Sequence, residues 1–239
     1  MPIKRIAPMT YAFGCLFDVD GTMVDNHPFH RQAWIELGRR YGLPIDEEYY
    51  RQNIHSRDNT VIMIRMRELF GNPALPDSLA DEKEAIYREL YRGKVTEIPG
   101  LRGLIEQLAA LGGGLAVASN APPENVELVL EELGLRNRFA VVVTPRPDLP
   151  GKPRPDLFLH AAERLRLAPV RCVVFEDSYS GFLAAEAARM SCVAVTHGMS
   201  PVSAPYLNRT TVQVRDFTEI TGEQIAKLIG VAPIPDRCC

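Results

Sequence analysis

Six short apolar runs punctuate the chain. They are YAFGCLFDVD from Tyr11, GLAVASN from Gly114, FAVVVTP from Phe139, RCVVFED from Arg171, SCVAVTH from Ser191 and, more weakly, TTVQVRDF from Thr210. Their spacing is too wide for hairpins, and from the second run onward helical patterns fill the gaps. Leu101, Leu104, Ile105, Leu108 and Leu111 follow helical spacing and are closed by Gly112. Val126, Val129, Leu130 and Leu133 do the same between Pro122-Pro123 and Gly134. Near-continuous apolar strands alternating with helices indicate a parallel sheet covered on both faces. The pattern predicts an α/β fold with a doubly wound core.

One interval breaks this rhythm. Nearly a hundred residues separate the first run from the second, and the stretch from about Asn26 to Lys94 contains no convincing strand. HRQAWIELGRRYG, DNTVIMIRMRELFG and DEKEAIYRELYRG read as helices, with GNPALPDS a turn between the last two. The expected organisation is a core of residues 1–25 and 95–239 with a helical cap of residues 26–94 inserted after the first strand. Such an insertion stands over the carboxyl edge of the sheet, where open α/β sheets bind ligands, and can act as a lid.

Composition narrows the function classes. The chain has 239 residues, 46% hydrophobic and 24% charged, with a formal net charge of −3. No global field favours nucleic acid or an anionic membrane. No apolar run approaches the ~18–20 residues that span a bilayer. The segment MPIKRIAPMTYAFG lacks a continuous apolar core, so a signal peptide is not expected. Five cysteines form no C-x-x-C pair, and three of them, Cys15, Cys172 and Cys192, sit in apolar runs as small core residues. Reduced thiols and a cytoplasmic location follow, with no obligate protein partner readable.

The chemistry lies at the strand ends. In a parallel sheet, the residues just past each strand converge on one edge. The first strand delivers Asp18 and Asp20, the second Ser119 and Asn120, and the fourth Glu176 and Asp177. Lys152 follows the third strand in PGKPRPDLF. Carboxylates crowded together raise one another's pKa unless a cation or a chemical task accounts for them. Three or four of them suit a hard, oxygen-loving cation such as Mg²⁺. A lysine and a serine hydroxyl opposite would neutralise a phosphoryl group in transfer. One carboxylate can take that group as an aspartyl-phosphate, and a second can exchange protons with the leaving oxygen and then with water. Gly21 gives the chain freedom to turn between them. An EF-hand loop does not fit, because Met23 holds its sixth position and Phe29 its twelfth. Taken singly, each motif also has an ordinary reading as a cap or a surface loop; their joint placement at successive strand ends does not.

On these motifs the chain resembles the haloacid dehalogenase superfamily of phosphoryl-transfer enzymes. DVDGTMVD matches its first motif, VASN the second, GKPRPD the third and VVFEDSYSG the fourth, in order, over residues 10–220 or so. The long helical interval resembles the cap of the branch that contains β-phosphoglucomutase and many sugar-phosphate phosphatases. The resemblance implies a Rossmann-like core and Mg²⁺ as cofactor, with Asp18 as nucleophile, Asp20 as acid–base, and Ser119 and Lys152 as phosphoryl ligands. It implies metal ligation by Asp18, the Asp20 carbonyl, Glu176 and Asp177. Gly21, Asn120, His30, Arg57 and Lys83 fall at or near substrate-binding positions, while Trp34 reads as core of the cap. Asp20 argues against a dehalogenase or phosphonate hydrolase. Mutases of this branch carry a lysine soon after the second-motif serine and a glycine shortly before the cap arginine. Here Asn120, Ala121 and Pro122 follow Ser119, and Asn53, Ile54 and His55 precede Arg57. The expected activity is therefore hydrolysis of a small-molecule phosphate ester, with a phosphosugar mutase as the alternative. A catalytically silent binding protein would have lost these carboxylates.

Overall fold

The computed structural model describes residues 10–54, 59–71, 75–76, 78–199 and 202–230. Strand β1 (Phe13–Phe17) leads into α1 (His27–Tyr41), α2 (Glu47–Tyr49), a π-helical turn at Tyr50–Ile54, α3 (Asn59–Leu69) and α4 (Ser78–Tyr91). The chain then alternates through α5 (Leu101–Ala110), β2 (Gly113–Ala118), α6 (Pro123–Glu132), β3 (Val141–Val143), α7 (Asp156–Leu165), β4 (Cys172–Glu176), α8 (Tyr179–Ala187) and β5 (Ser191–Val195). It closes with β6 (Val212–Val214) and α9 (Gly222–Leu228). Among the described residues, no helix is long and apolar enough to cross a membrane.

All six apolar runs form strands of one sheet, in the order β3-β2-β1-β4-β5-β6, and every pairing is parallel. β1, β2 and β4 are buried along their whole length, which is why their sequences read as unbroken apolar runs rather than alternating ones. Successive side chains still go to opposite faces. Phe13, Cys15 and Phe17 join Val117, Val173 and Phe175 on the face covered by Leu104, Leu108, Val126 and Val129. Leu16, Ala116 and Val174 meet Leu157, Phe158 and Phe182 on the other. Phe17 stacks on Phe175 across the β1–β4 pair with ring centroids 4.4 Å apart. Side chains of this size contribute roughly 1.5–3 kcal/mol each when fully buried.

The helices between β1 and α5 bury Trp34, Leu37, Ile62, Met66, Ile86 and Tyr87 in the same continuous apolar cluster as the first sheet face. The chain leaves α1 through Gly42, at φ 63°, where its backbone N–H caps the helix on the Gly38 carbonyl. Strand order reverses between β1 and β4, so the crevice at their carboxyl ends is the position where open α/β sheets receive ligands.

Candidate active site

Asp18 follows β1 directly and is 7% exposed. Its Oδ1 accepts a hydrogen bond of 2.5 Å from Lys152 Nζ, which also donates to Glu176 Oε1 at 2.6 Å. Burial pushes the Asp18 carboxyl well up. Lys152 counters this, and the neighbouring carboxylates of Glu176, Asp177 and Asp20 add to it. For Lys152, burial opposes the charge but the two carboxylates win, so its ammonium is held firmly protonated.

Glu176 ends β4 and turns back over the first turn of α8. Its Oε2 accepts from the Asp177 and Ser178 backbone N–H groups and from Ser178 Oγ, each at 2.9 Å. Ser178 also caps α8, accepting from Gly181 N. A Cβ on Gly181 would fall 1.8 Å from the Glu176 carboxyl carbon, so only glycine lets the carboxylate lie across the helix start. Gly181→Ala is expected to displace Glu176 and lower stability by roughly 1–3 kcal/mol, as overpacking does. Urea unfolding of the two proteins side by side measures this.

Asp177 projects beside Asp18. Thr22 Oγ1 donates to its Oδ1 at 3.2 Å, and His27 Nε2 lies 3.5 Å from its Oδ2. Burial raises the Asp177 carboxyl, and the adjacent Glu176 adds to this against the lowering by His27 and Thr22. Gly21, at φ 80°, makes the turn possible, because a Cβ there would sit 2.2 Å from Asp177 Oδ2. Asp18, Glu176 and Asp177 each bring a carboxylate oxygen within 4.8 Å of the others. Asp18, Asp20, Glu176 and Asp177 against Lys152 and the His27 imidazole, which its carboxylate neighbours raise to about 8 against burial, still leave a deficit of positive charge that a divalent cation would fill, and the carboxylate donors are all oxygen, as a hard cation requires. The residues fit a metal, with Asp18 the least encumbered ligand: it is bonded through Oδ1 to Lys152, whereas Asp177 meets Thr22 and His27 through its two oxygens. Glu176 is already bonded through both oxygens.

Asp20 is held from the helical side. Asn26 Nδ2 donates to its Oδ1 at 2.6 Å and also to Tyr87 Oη at 2.7 Å. His30 Nε2 lies 3.5 Å from its Oδ2. Burial pushes this carboxyl up, but the His30 and Asn26 contacts outweigh burial and hold it at about 2. In this arrangement Asp20 is an ionised acceptor. The His30 ring stacks on Tyr87 at 3.9 Å, and its Nδ1 meets Lys83 Nζ at 2.9 Å.

Asp18, Asp20, Ser119, Asn120, Lys152, Asp177, His30 and Lys83 line one cavity of about 560 Å³, closed on the helical side by Trp34, Tyr50, Ile54 and Ile62. Ser119 is 1% exposed and its Oγ accepts from Ala121 N. The Asn120 amide grips the Lys152 backbone at both ends, donating to its carbonyl at 3.1 Å and accepting from its N–H at 2.8 Å. Asn120 therefore fixes the lysine loop, and its amide nitrogen keeps a second hydrogen on the cavity lining. Lys83 is buried over the Trp34 ring rather than solvated. Arg57 lies outside the described residues. The structure adds Asn26, His27, Thr22, Ser178 and Gly181, which the sequence reading did not assign. Ser178, ahead of an apolar helix and three residues before Gly181, carried a readable capping signal.

Residues 14–189 match the family model described as haloacid dehalogenase-like hydrolase. The chain is 35% identical to the fructose-1-phosphate phosphatase YqaB of Escherichia coli over 184 residues, 76% of this chain and 95% of that protein. It is 28% identical to the β-phosphoglucomutase of Bacillus subtilis over 205 residues, 82% of this chain and 88% of that protein. The crystal structure of CbbY from Rhodobacter sphaeroides in complex with xylulose-(1,5)bisphosphate is similar with a TM-score of 0.74 at 26% identity. The match covers 86% of this chain and 95% of that one.

Proposed function

The chain belongs to the haloacid dehalogenase-like hydrolases, and on that premise we propose that it is a Mg²⁺-dependent phosphatase of a small phosphorylated metabolite, a sugar phosphate in particular. The observation that carries this reading is Asp18 bound to Lys152 beside Glu176 and Asp177, at the floor of a cavity at the sheet's switch point. Asp18, Asp177, the Asp20 carbonyl and Glu176 would hold the metal, which supplies charge neutralisation for the phosphoryl oxygens. We read residues 26–94 as the cap and residues 1–25 with 95–239 as the core. Buried free thiols at Cys15, Cys172 and Cys192 suit a reducing, cytoplasmic setting.

The reaction divides into two displacements. An Asp18 carboxylate oxygen attacks phosphorus, the bond from phosphorus to the ester oxygen breaks, and Asp20, ionised in the resting arrangement and protonated before this step, gives that proton to the departing alkoxide. Water then attacks the aspartyl-phosphate, Asp20 takes a proton from it, and the bond from phosphorus to Asp18 breaks to release inorganic phosphate. Asp20 is thereby reprotonated for the next turnover. Acid–base help of this kind supplies roughly 10²–10⁴-fold. Lys152 and Ser119 hold the phosphoryl oxygens as charge moves between them.

Phosphate release from a panel of sugar and polyol monophosphates is expected with Mg²⁺. Chelation with EDTA should abolish it, and added Mg²⁺ should restore it. Release unaffected by chelation would overturn the metal assignment, and no release from any ester would overturn the phosphatase.

A further inference from the structure

Helix α4 carries Lys83 and Glu84 in succession, and both are buried, at 3% and 5% exposure. Each charge must be met by partners, since an unpaired one would not survive burial. Glu84 Oε1 accepts from Lys83 Nζ at 2.8 Å. Its Oε2 accepts at 2.8 Å from Nδ2 of Asn125, which stands on α6 and is 1% exposed. Arg88 Nη1 donates to Asn125 Oδ1 at 2.8 Å. A guanidinium can only donate, so the Asn125 amide has one orientation, with its nitrogen toward Glu84.

The contacts continue from Lys83 to the reacting centre. An ammonium can only donate, so His30 Nδ1 accepts from Lys83. The neutral imidazole then carries its hydrogen on Nε2, which faces Asp20 Oδ2 at 3.5 Å. Hydrogen bonds link Asn125, Glu84, Lys83 and His30, and His30 Nε2 closes the path by approaching Asp20 Oδ2 to 3.5 Å, so that the path crosses from α6 through α4 and α1 to the loop after β1. Helix α6 itself begins three residues after Asn120.

We propose that Asn125 and Glu84 are positioning residues for Asp20: they fix Lys83, Lys83 fixes the His30 tautomer, and His30 with Asn26 aims the Asp20 carboxyl. The proposal rests on the reading of Asp20 as the acid–base group. It makes Asn125, a neutral residue that touches no reacting atom, a determinant of proton transfer to the leaving oxygen.

The test exploits leaving-group chemistry. An alkyl phosphate needs a proton on its departing oxygen, whereas p-nitrophenyl phosphate, with its stable phenolate, does not. The quantity to read is kcat/KM, which reports phosphoryl transfer to the nucleophile, for p-nitrophenyl phosphate and for the alkyl phosphate turned over fastest in the panel above. Asn125→Asp keeps the acceptor for Arg88 but sets two carboxylates against each other. Glu84→Gln breaks the match from the other side. Each single change is expected to lower kcat/KM for the alkyl ester by roughly 10- to 100-fold and for the aryl ester by less than about threefold. In the double variant the amide introduced by Glu84→Gln can donate to the carboxylate introduced by Asn125→Asp, and most of the alkyl rate is expected to return. A purely structural role lowers both substrates alike; that result, or a double variant without recovery, overturns the proposal. Asp20→Asn is the control. If it lowers both esters equally, the acid–base reading fails and the inference falls with it, a different outcome from a selective Asp20→Asn beside unselective Asn125 and Glu84 variants.

Discussion

Asp18→Asn is expected to lower turnover of the best phosphate ester by at least ~10⁴-fold, because it removes the atom that takes the phosphoryl group and no neighbour can replace it. The substitution changes one oxygen to an NH₂ group and leaves the shape of the site intact. Its effect on stability runs the other way. Burial, together with Glu176, Asp177 and Asp20, pushes the Asp18 carboxyl up by more than its Lys152 partner lowers it, so neutralising it relieves a net cost that the fold tolerates for function. The metal-free variant is expected to melt at or above the temperature of the metal-free parent. Thermal unfolding in EDTA, run beside the activity assay, checks both halves. An inactive but cooperative, equally stable protein is the expected outcome. Near-parental turnover would remove Asp18 from the nucleophile's role.

Lys152→Ala should damage both activity and fold. Its ammonium binds Asp18 and Glu176 at once, at 2.5 and 2.6 Å, and is 7% exposed. Removing one partner from a buried ion pair typically costs about 3–5 kcal/mol, because the remaining charge is left without compensation. Here two carboxylates are stranded beside a third. Urea unfolding in EDTA should show a loss of that order, and turnover should vanish with the phosphoryl-binding charge. Added Mg²⁺ should return part of the stability, since a cation can stand against the same carboxylates, and none of the lysine's role in transfer. Full stability without metal would mean that the cluster does not depend on Lys152 for charge balance.

Much of this site can be read from sequence because the fold turns linear order into spatial convergence. Each of β1, β2 and β4 is a buried strand whose apolar run stops at the polar residues that gather at the candidate site, so the boundary between run and motif marks the sheet edge. Asp18, Ser119 and Glu176 are legible for that reason. Lys152 is legible because it follows a short strand in the same register of events. The helical side is less legible, for physical reasons. Lys83 and Glu84 lie in DEKEAIYREL, where charges at every turn resemble a solvated face. What buries them is the ring of Trp34 and the amide of Asn125, which are dozens of residues away in sequence. Asn26 looks like the start of a helix, yet its side chain holds Asp20 and Tyr87 instead of capping α1. The π-helical turn at Tyr50–Ile54 has no periodic signature, because a single widened turn shifts the pattern by one residue. Gly181 reads as a poor helix former until Glu176 is seen lying over it.

The phosphatase reading and the mutase reading share Asp18, Lys152 and the metal cluster. They part at the fate of the phosphoryl group. The cavity is walled on the helical side by Trp34, Tyr50, Ile54 and Ile62, and Ser119 is followed by Asn120, Ala121 and Pro122.

The most direct test is phosphorus NMR of the purified protein with Mg²⁺ and, in turn, fructose 1-phosphate, β-glucose 1-phosphate and other sugar monophosphates. A growing inorganic phosphate signal from at least one of them, absent with Asp18→Asn, is the predicted result. Conversion of β-glucose 1-phosphate to the 6-phosphate with no free phosphate would contradict it.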